Sequence, residues 1–130
     1  MTQIHKTIFI SYRRANQFMA QAVHQNLMAN DYDVFIDYKS IGAGSFGDVI
    51  LRQIEARAHF LLILTPSALE RCSDPNDWLR REIEHAIVHK RNIVPLMFAG
   101  VKMGEVEKYL TPAMQVLPKY NALTEPTKTF

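Results

Sequence analysis

Short apolar runs alternate along the chain with longer stretches of helical spacing, and this alternation predicts the secondary structure. Consecutive β-branched and apolar residues are typical of strands covered on both faces, as in a parallel sheet. Apolar residues that return at three- and four-residue steps are typical of helices that bury one face. We therefore predict strands at 7–10, 32–36, 60–64, 93–97 and 116–122, helices at 16–29, 46–58 and 78–89, and a short helix or turn at 104–110.

The order of these elements predicts an α/β fold. Strands that alternate with helices form a parallel sheet through right-handed crossovers, with helices on both faces. We expect a flavodoxin-like five-stranded parallel sheet with the strand order 2-1-3-4-5. Ligands bind such sheets at the carboxyl ends of the strands, beside the switch in strand order. Functional residues are therefore expected just after Ile10, Ile36 and Leu64.

The composition fits one globular domain, which we take to be residues 1–130. Apolar residues make up 48% of the chain, enough to bury a core, and a net charge of +2 gives no indication of a nucleic-acid or membrane partner. The single cysteine excludes an intrachain disulfide, and we find neither a signal-peptide core nor a membrane-spanning run, so we expect a cytoplasmic location. No closing helix follows the predicted fifth strand, which fits a piece of a longer protein or a small natural domain.

Two alternative assignments, a dinucleotide-binding loop and a phosphoreceiver domain, do not fit the residues of this chain. Residues 42–47, Gly-Ala-Gly-Ser-Phe-Gly, match the dinucleotide fingerprint literally, but residues 37–41 separate them from the preceding strand. The acidic residue expected at the end of the next strand is also missing, so a loop needing positive φ is the better interpretation. A phosphoreceiver domain needs acidic residues after its first and third strands, where this chain has Ser-Tyr and Thr-Pro.

The predicted helix at 78–89 has an apolar face and, next to it, a second line of regularly spaced side chains, which we call the stripe. The stripe combines aromatic, acidic and imidazole side chains at steps of four and three residues: Trp78, Glu82, His85 and His89. An indole and a carboxylate one turn apart could hold a flat or sugar-like ligand. The structural alternative is that Trp78 packs at the edge of the core and Glu82 is solvated.

Other polar residues have weaker signals. Arg13 and Arg14 follow the first strand and could bind phosphates by paired hydrogen bonds, or could lie in a solvated loop. No sequence motif supplies a basic partner for Cys72, which favours a packed thiol. No spacing of His, Cys, Asp and Glu indicates a metal site, so we expect none.

Four segments together resemble the TIR (Toll/interleukin-1 receptor/resistance) family. They match in order and spacing from about residue 6 to residue 95. The nearest likeness is to bacterial TIR domains and to the TIR domain of the animal axon-degeneration NAD hydrolase. The four segments are 8–14 (IFISYRR), 33–37 with 42–48 (DVFID, GAGSFGD), 64–72 (LTPSALERC) and 77–83 with 92–95 (DWLRREI, NIVP).

The resemblance implies which residues form the site. The family's catalytic glutamate lies four residues after the tryptophan of its D-W-x-x-x-E segment, which here is Glu82 after Trp78. The arginine pair of the first segment lines the family's nucleotide cleft. Gly47 departs from the family's pattern, since close relatives often carry an acidic residue at this position. By resemblance the substrate-binding residues are Trp78, Arg13, Arg14, Phe46, Asp37, Tyr12 and Ser11.

The resemblance also implies an activity and partners. This branch of the family is an NAD⁺ nucleosidase that cleaves the nicotinamide–ribose bond, with ADP-ribose or a cyclic isomer as product. NAD⁺ is the substrate, and no cofactor is expected. Activity usually needs assembly with other TIR domains, often in immune or antiviral signalling. The alternative is a TIR scaffold or adaptor without catalysis, because many animal adaptor domains of this family lack the glutamate.

Overall fold

The computed structural model describes residues 4–36, 45–98, 100–120 and 122–124, excluding the side chains of Ile4, Ser45, Phe46 and Thr124. It contains one parallel sheet in the order β2-β1-β3-β4-β5, which confirms the predicted fold class and strand order. Four strands have four to six residues, and the last has two. The strands are β1 (Thr7–Ser11), β2 (Asp33–Ile36), β3 (His59–Leu64), β4 (Asn92–Met97) and β5 (Leu123–Thr124).

The helices begin and end within about two residues of the predicted bounds. They are α1 (Gln17–Ala29), α2 (Ser45–Ala56), α3 (Trp78–Val88) and the one-turn α4 (Met103–Val106). Short 3₁₀ segments lie at Ile4–Lys6, Arg14–Asn16, Glu107–Tyr109, Pro112–Met114 and Leu117–Lys119. No helix among the described residues is long and apolar enough to cross a membrane.

The position predicted for the fifth strand was wrong. Much of 116–122 forms the 3₁₀ turn Leu117–Lys119, with Pro118 in its first positions and the Leu117 side chain fully buried. Proline fixes φ near −65° and lacks an N–H, which suits the start of a helical turn and not a strand. The strand comes only at Leu123–Thr124, where it pairs with the end of β4.

Alternate residues of the central strands fill two apolar layers, one on each face of the sheet. Phe9, Phe60 and Leu62 belong to the larger layer, which also holds the buried faces of α2 and α3. Ile8, Ile10 and Leu61 belong to the smaller layer, with α1. Because α3 packs beneath the sheet next to β1, its first two turns lie beside the carboxyl end of that strand.

Candidate active site

The cleft is organised around Glu82, a buried carboxylate in the second turn of α3. Its Oε1 accepts a hydrogen bond of 2.7 Å from Oγ of Ser11, the last residue of β1. Ser11 is 1% exposed and Glu82 is 6% exposed. Glutamate is seldom buried unless it is hydrogen-bonded or ion-paired. The Ser11 hydroxyl therefore holds this carboxylate at the end of the sheet where ligands of such folds bind.

Glu82 lines a cleft of about 720 Å³ at the carboxyl end of β1. That volume is within the range of small-molecule and cofactor sites, roughly 300–1,000 Å³. The wall comes from the segment after β1, from the loop before α3 and from the first turns of α3. The lining residues are Ile10, Tyr12, Arg13, Arg14, Ala15, Gln17, Arg71, Asp74, Asn76, Asp77, Trp78, Leu79 and Glu82.

Trp78, the first residue of α3, both lines the cleft and packs against the core. The end of its ring lies against Gly47 of α2, where an added Cβ would be 3.0 Å from the Trp78 Cη2 atom. The Arg81 guanidinium lies over the ring, 4.2 Å from its centroid. Trp78 Nε1 is buried and has no hydrogen-bond partner within the described parts of the chain. The ligand-binding and packing interpretations of Trp78 are compatible, because the same side chain lines the cleft and packs against the core.

Asp77 caps α3 and pairs with Arg13. One Asp77 carboxylate oxygen accepts from the Arg80 backbone N–H at 3.2 Å, because Asp77 has the extended backbone typical of an N-cap. The Arg13 guanidinium binds both carboxylate oxygens of Asp77 and also donates twice to the Ala68 carbonyl. Burial alone would raise the pKa of Asp77, but the hydrogen bonds and charge of Arg13 outweigh it and lower that pKa below its ordinary value.

Cys72 lies next to this ion pair. Its thiol has a basic partner that is distant in the sequence, since Arg13 Nη2 is 3.9 Å from Sγ. The side chain is fully buried, and burial together with the Asp77 charge raises the pKa of the thiol to about 12. The sulfur is therefore protonated and packed, as the sequence predicted.

The structure brings together most of the residues proposed from the sequence. Tyr12, Arg13 and Arg14 line the cleft with Trp78 and Glu82. Ser11 is not among the lining residues and reaches the site through its bond to Glu82. Asp37 lies outside the described residues, and so does the side chain of Phe46, although its backbone is in α2.

Sequence reasoning missed part of the wall. Four residues that line the cleft were not proposed as cleft residues from the sequence: Arg71, Asp74, Asn76 and Asp77. The residues Asp-Pro-Asn-Asp at 74–77 are typical of a turn and a helix N-cap next to Trp78, but only the fold places this loop beside the segment after β1. Only part of the predicted stripe lies at the cleft. Trp78 and Glu82 line it, whereas His85 contacts Glu55 of α2 and is not among the lining residues.

Comparison with known proteins identifies the family. The family model of the TIR domain matches residues 8–117. The NAD(+) hydrolase tir-1 of Caenorhabditis elegans is 36% identical over 121 residues, and NAD(+) hydrolase sarm1 of Drosophila melanogaster is 35% identical over 120 residues. Each match covers 89% of this chain. NAD(+) hydrolase SARM1 of Danio rerio is 33% identical over 93 residues, 68% of this chain. The chain spans 12%, 9% and 13% of these three relatives.

A solved structure supports the fold. The TIR domains in the structure of the activated Roq1 resistosome, which directly recognises the pathogen effector XopQ, match this chain with a TM-score of 0.61. The match covers 87% of this chain and 69% of that one, at 18% sequence identity. The family model of the TIR domain covers most of the chain, and the chain forms the parallel sheet described above. This chain therefore belongs to the TIR domain family.

Proposed function

We propose that this TIR domain cleaves NAD⁺ at the nicotinamide–ribose bond and that Glu82 is its catalytic carboxylate. The observation that carries the proposal is the position of Glu82, which lines the cleft and is held there by Ser11. The relatives named NAD(+) hydrolase add support, because tir-1 and sarm1 match 89% of this chain.

A single carboxylate is sufficient for this bond. Nicotinamide is already cationic in NAD⁺, so it leaves as a neutral molecule without protonation by an acid. Its departure leaves an oxocarbenium-like ribosyl centre, as in glycoside cleavage. A fixed carboxylate beside that centre stabilises the positive charge and accepts hydrogen bonds from the ribose hydroxyls. Glu82 in a water-poor position at the cleft wall is suited to both tasks.

The two arginines after β1 have different roles in this proposal. Arg14 is exposed at the cleft and is assigned to the pyrophosphate. Arg13 uses most of its N–H groups on Asp77 and Ala68, so it mainly positions the loop before α3 and adds positive charge. Trp78 provides an aromatic surface for a base. Since Arg81 covers one face of the indole, a ligand ring must displace Arg81 or use another part of Trp78.

The acceptor decides the product. Attack by water gives ADP-ribose, and attack by an adenine nitrogen of the same molecule gives a cyclic isomer. Self-assembly with other TIR domains is part of the proposal. Immune signalling is the proposed setting, consistent with the likeness to resistosome TIR domains.

The direct test is NAD⁺ turnover followed by chromatography, at several protein concentrations, for the wild type and Glu82→Gln. The substitution keeps the size of the side chain and removes its charge. We expect a loss of about 100-fold or more, the scale of losing one stabilising group in a transition state. Glu84→Gln is the matched control, because Glu84 is on the same helix but contacts Arg80 and Thr111. Equal turnover by wild type and Glu82→Gln would end the proposal.

The scaffold alternative has one observation in its favour. Phe18 on α1 is 83% exposed, an apolar side chain that could join an assembly surface. Sedimentation of the same samples separates the two functions. Assembly without turnover at every concentration would identify a scaffold, whereas turnover that rises faster than protein concentration would support a self-assembling enzyme.

A further inference from the structure

Three potential metal ligands lie close together between the end of α2 and the end of α3. Glu55 belongs to the end of α2, His85 is in the last turn of α3, and His89 is the C-cap residue of that helix. Both histidines come after Glu82 along the chain, whereas Trp78 comes before it. The Glu55 Oε2 atom is 2.7 Å from His85 Nε2 and 3.7 Å from His89 Nε2. The two imidazole rings are tilted by 49° to each other, with centroids 4.3 Å apart.

The geometry of the three atoms is close to that of a divalent metal site. One potential ligand atom from each of the three side chains lies within 4.8 Å of the other two. In a tetrahedral zinc site, bonds near 2.0–2.2 Å place neighbouring ligand atoms roughly 3.3 Å apart. Small side-chain rotations would therefore bring all three onto one ion. The side chains are 42%, 22% and 39% exposed, so solvent can reach the cluster and water can complete the coordination.

We propose that Glu55, His85 and His89 form a binding site for a divalent transition-metal ion, with zinc as the ion that fits best. Two imidazoles and one carboxylate are a ligand set that zinc accepts in three-ligand sites with an open fourth position. Magnesium and calcium are disfavoured because they prefer oxygen ligands.

Positively charged side chains lie near the cluster. Arg52 lies near Glu55 on the same helix and adds a positive charge that opposes metal binding. Arg91 is also close, where its Nη1 donates to the Glu55 carbonyl. These charges favour a moderate, reversible affinity.

A bound ion would link α2 to the helix that carries Glu82. Glu55 is on α2, whose first turn places Gly47 against the Trp78 ring, and the histidines lie in the last turn of α3 and at its C-cap. Binding to the folded state alone raises the melting temperature. At a hundredfold excess of free metal over Kd, the increase for a domain of this size is about 10 °C.

The test is isothermal titration of the untagged protein with zinc chloride and, separately, with cobalt chloride, together with thermal unfolding in each metal and after chelation. We expect one zinc per chain in the wild type and a visible absorption from bound cobalt. His89→Ala and Glu55→Gln each remove a direct ligand, so each should weaken zinc binding by at least the roughly 10–100-fold that the loss of an outer-shell partner costs, and should remove most of the shift in melting temperature. His5→Ala is the matched control and should leave both unchanged, since His5 is exposed and is not one of the three residues of the cluster.

Two results would overturn the site. The first is no stoichiometric zinc binding by the wild type. The second is binding that His89→Ala and Glu55→Gln leave as tight as in the wild type, which would place the ion on other residues. Circular dichroism checks that the variants fold. If either variant is misfolded, His89→Gln replaces it, because this side chain is partly exposed and the amide preserves most of its volume.

Discussion

The ion pair between Arg13 and Asp77 gives the sharpest prediction about stability. Asp77→Asn removes the charge of this carboxylate but keeps a side-chain oxygen that can still cap α3, because asparagine is as good an N-cap residue as aspartate. The substitution therefore isolates the ion pair from the helix cap.

The expected cost follows from burial. The Arg13 and Asp77 side chains are only 15% and 7% exposed, so the neutral variant leaves a largely desolvated guanidinium without its counter-charge. Removing one partner of a buried pair costs about 3–5 kcal/mol. Arg13 keeps its two hydrogen bonds to the Ala68 carbonyl and can donate to the asparagine oxygen. We therefore expect the free energy of unfolding to fall by about 2–3 kcal/mol at neutral pH.

The same pair predicts a pH dependence. The folded state lowers the pKa of Asp77 below its ordinary value of 3.8, so its contribution to stability is complete above that value. It is lost as the pH falls through the lowered pKa, because the unfolded state then binds more protons than the folded one. The difference in stability between wild type and Asp77→Asn should therefore shrink as the solution is made more acidic than pH 3.8.

Urea denaturation at a series of pH values measures both effects. A loss of 2–3 kcal/mol corresponds to a fall in the urea midpoint of about 1–2 M for a small domain. Asp74→Asn is the matched control for stability, since Asp74 is exposed in the same loop and its contact is a hydrogen bond from the Asn76 N–H. A cost for Asp77→Asn no larger than that of the control, or a difference that does not change with acid, would refute this account of the pair.

Three further outcomes follow from the same geometry. Ser11→Ala should lower the turnover number about 10-fold with a smaller change in KM, because the 2.7 Å hydrogen bond that positions Glu82 is lost. Unchanged kinetics would show that this hydrogen bond does not contribute to catalysis. Gly47→Ala should shift the fluorescence of Trp78, the only tryptophan, because the new methyl group would lie 3.0 Å from its ring; an unaltered spectrum would show that α2 can move aside. Cys72, fully buried with its pKa raised to about 12, should resist a thiol reagent at pH 8 in the native protein and react on unfolding, whereas fast native labelling would contradict the packing.

Local sequence signals predicted most of the fold. Alternation of apolar runs with helical spacing is a property of neighbouring residues, so the strands and helices up to β4 were found within about two residues of their bounds. The wrong position predicted for the fifth strand also came from relying on the pattern of neighbouring residues. The apolar residues Val116 and Leu117 resembled a strand, and the geometry that Pro118 imposes on its own turn was given too little weight.

The candidate site was predicted only where its signal is local. Trp78 and Glu82 lie one turn apart, so helical periodicity alone places them together, and the sequence around them resembles the TIR family. Their partners are far away along the chain. Ser11 is 71 residues from Glu82, and Arg13 is 64 residues from Asp77. No spacing rule connects such residues.

The sequence by itself therefore determined the elements of this protein, the parallel character of its sheet and the helix that carries Glu82. Only the tertiary structure decided which polar groups meet: the hydroxyl that holds Glu82, the arginine that pairs with Asp77, and the carboxylate that reaches His85 across 30 residues. The physical reason is that periodicity is set by backbone geometry within one element. Pairing between elements depends instead on the order of the strands and on how the helices pack against the sheet.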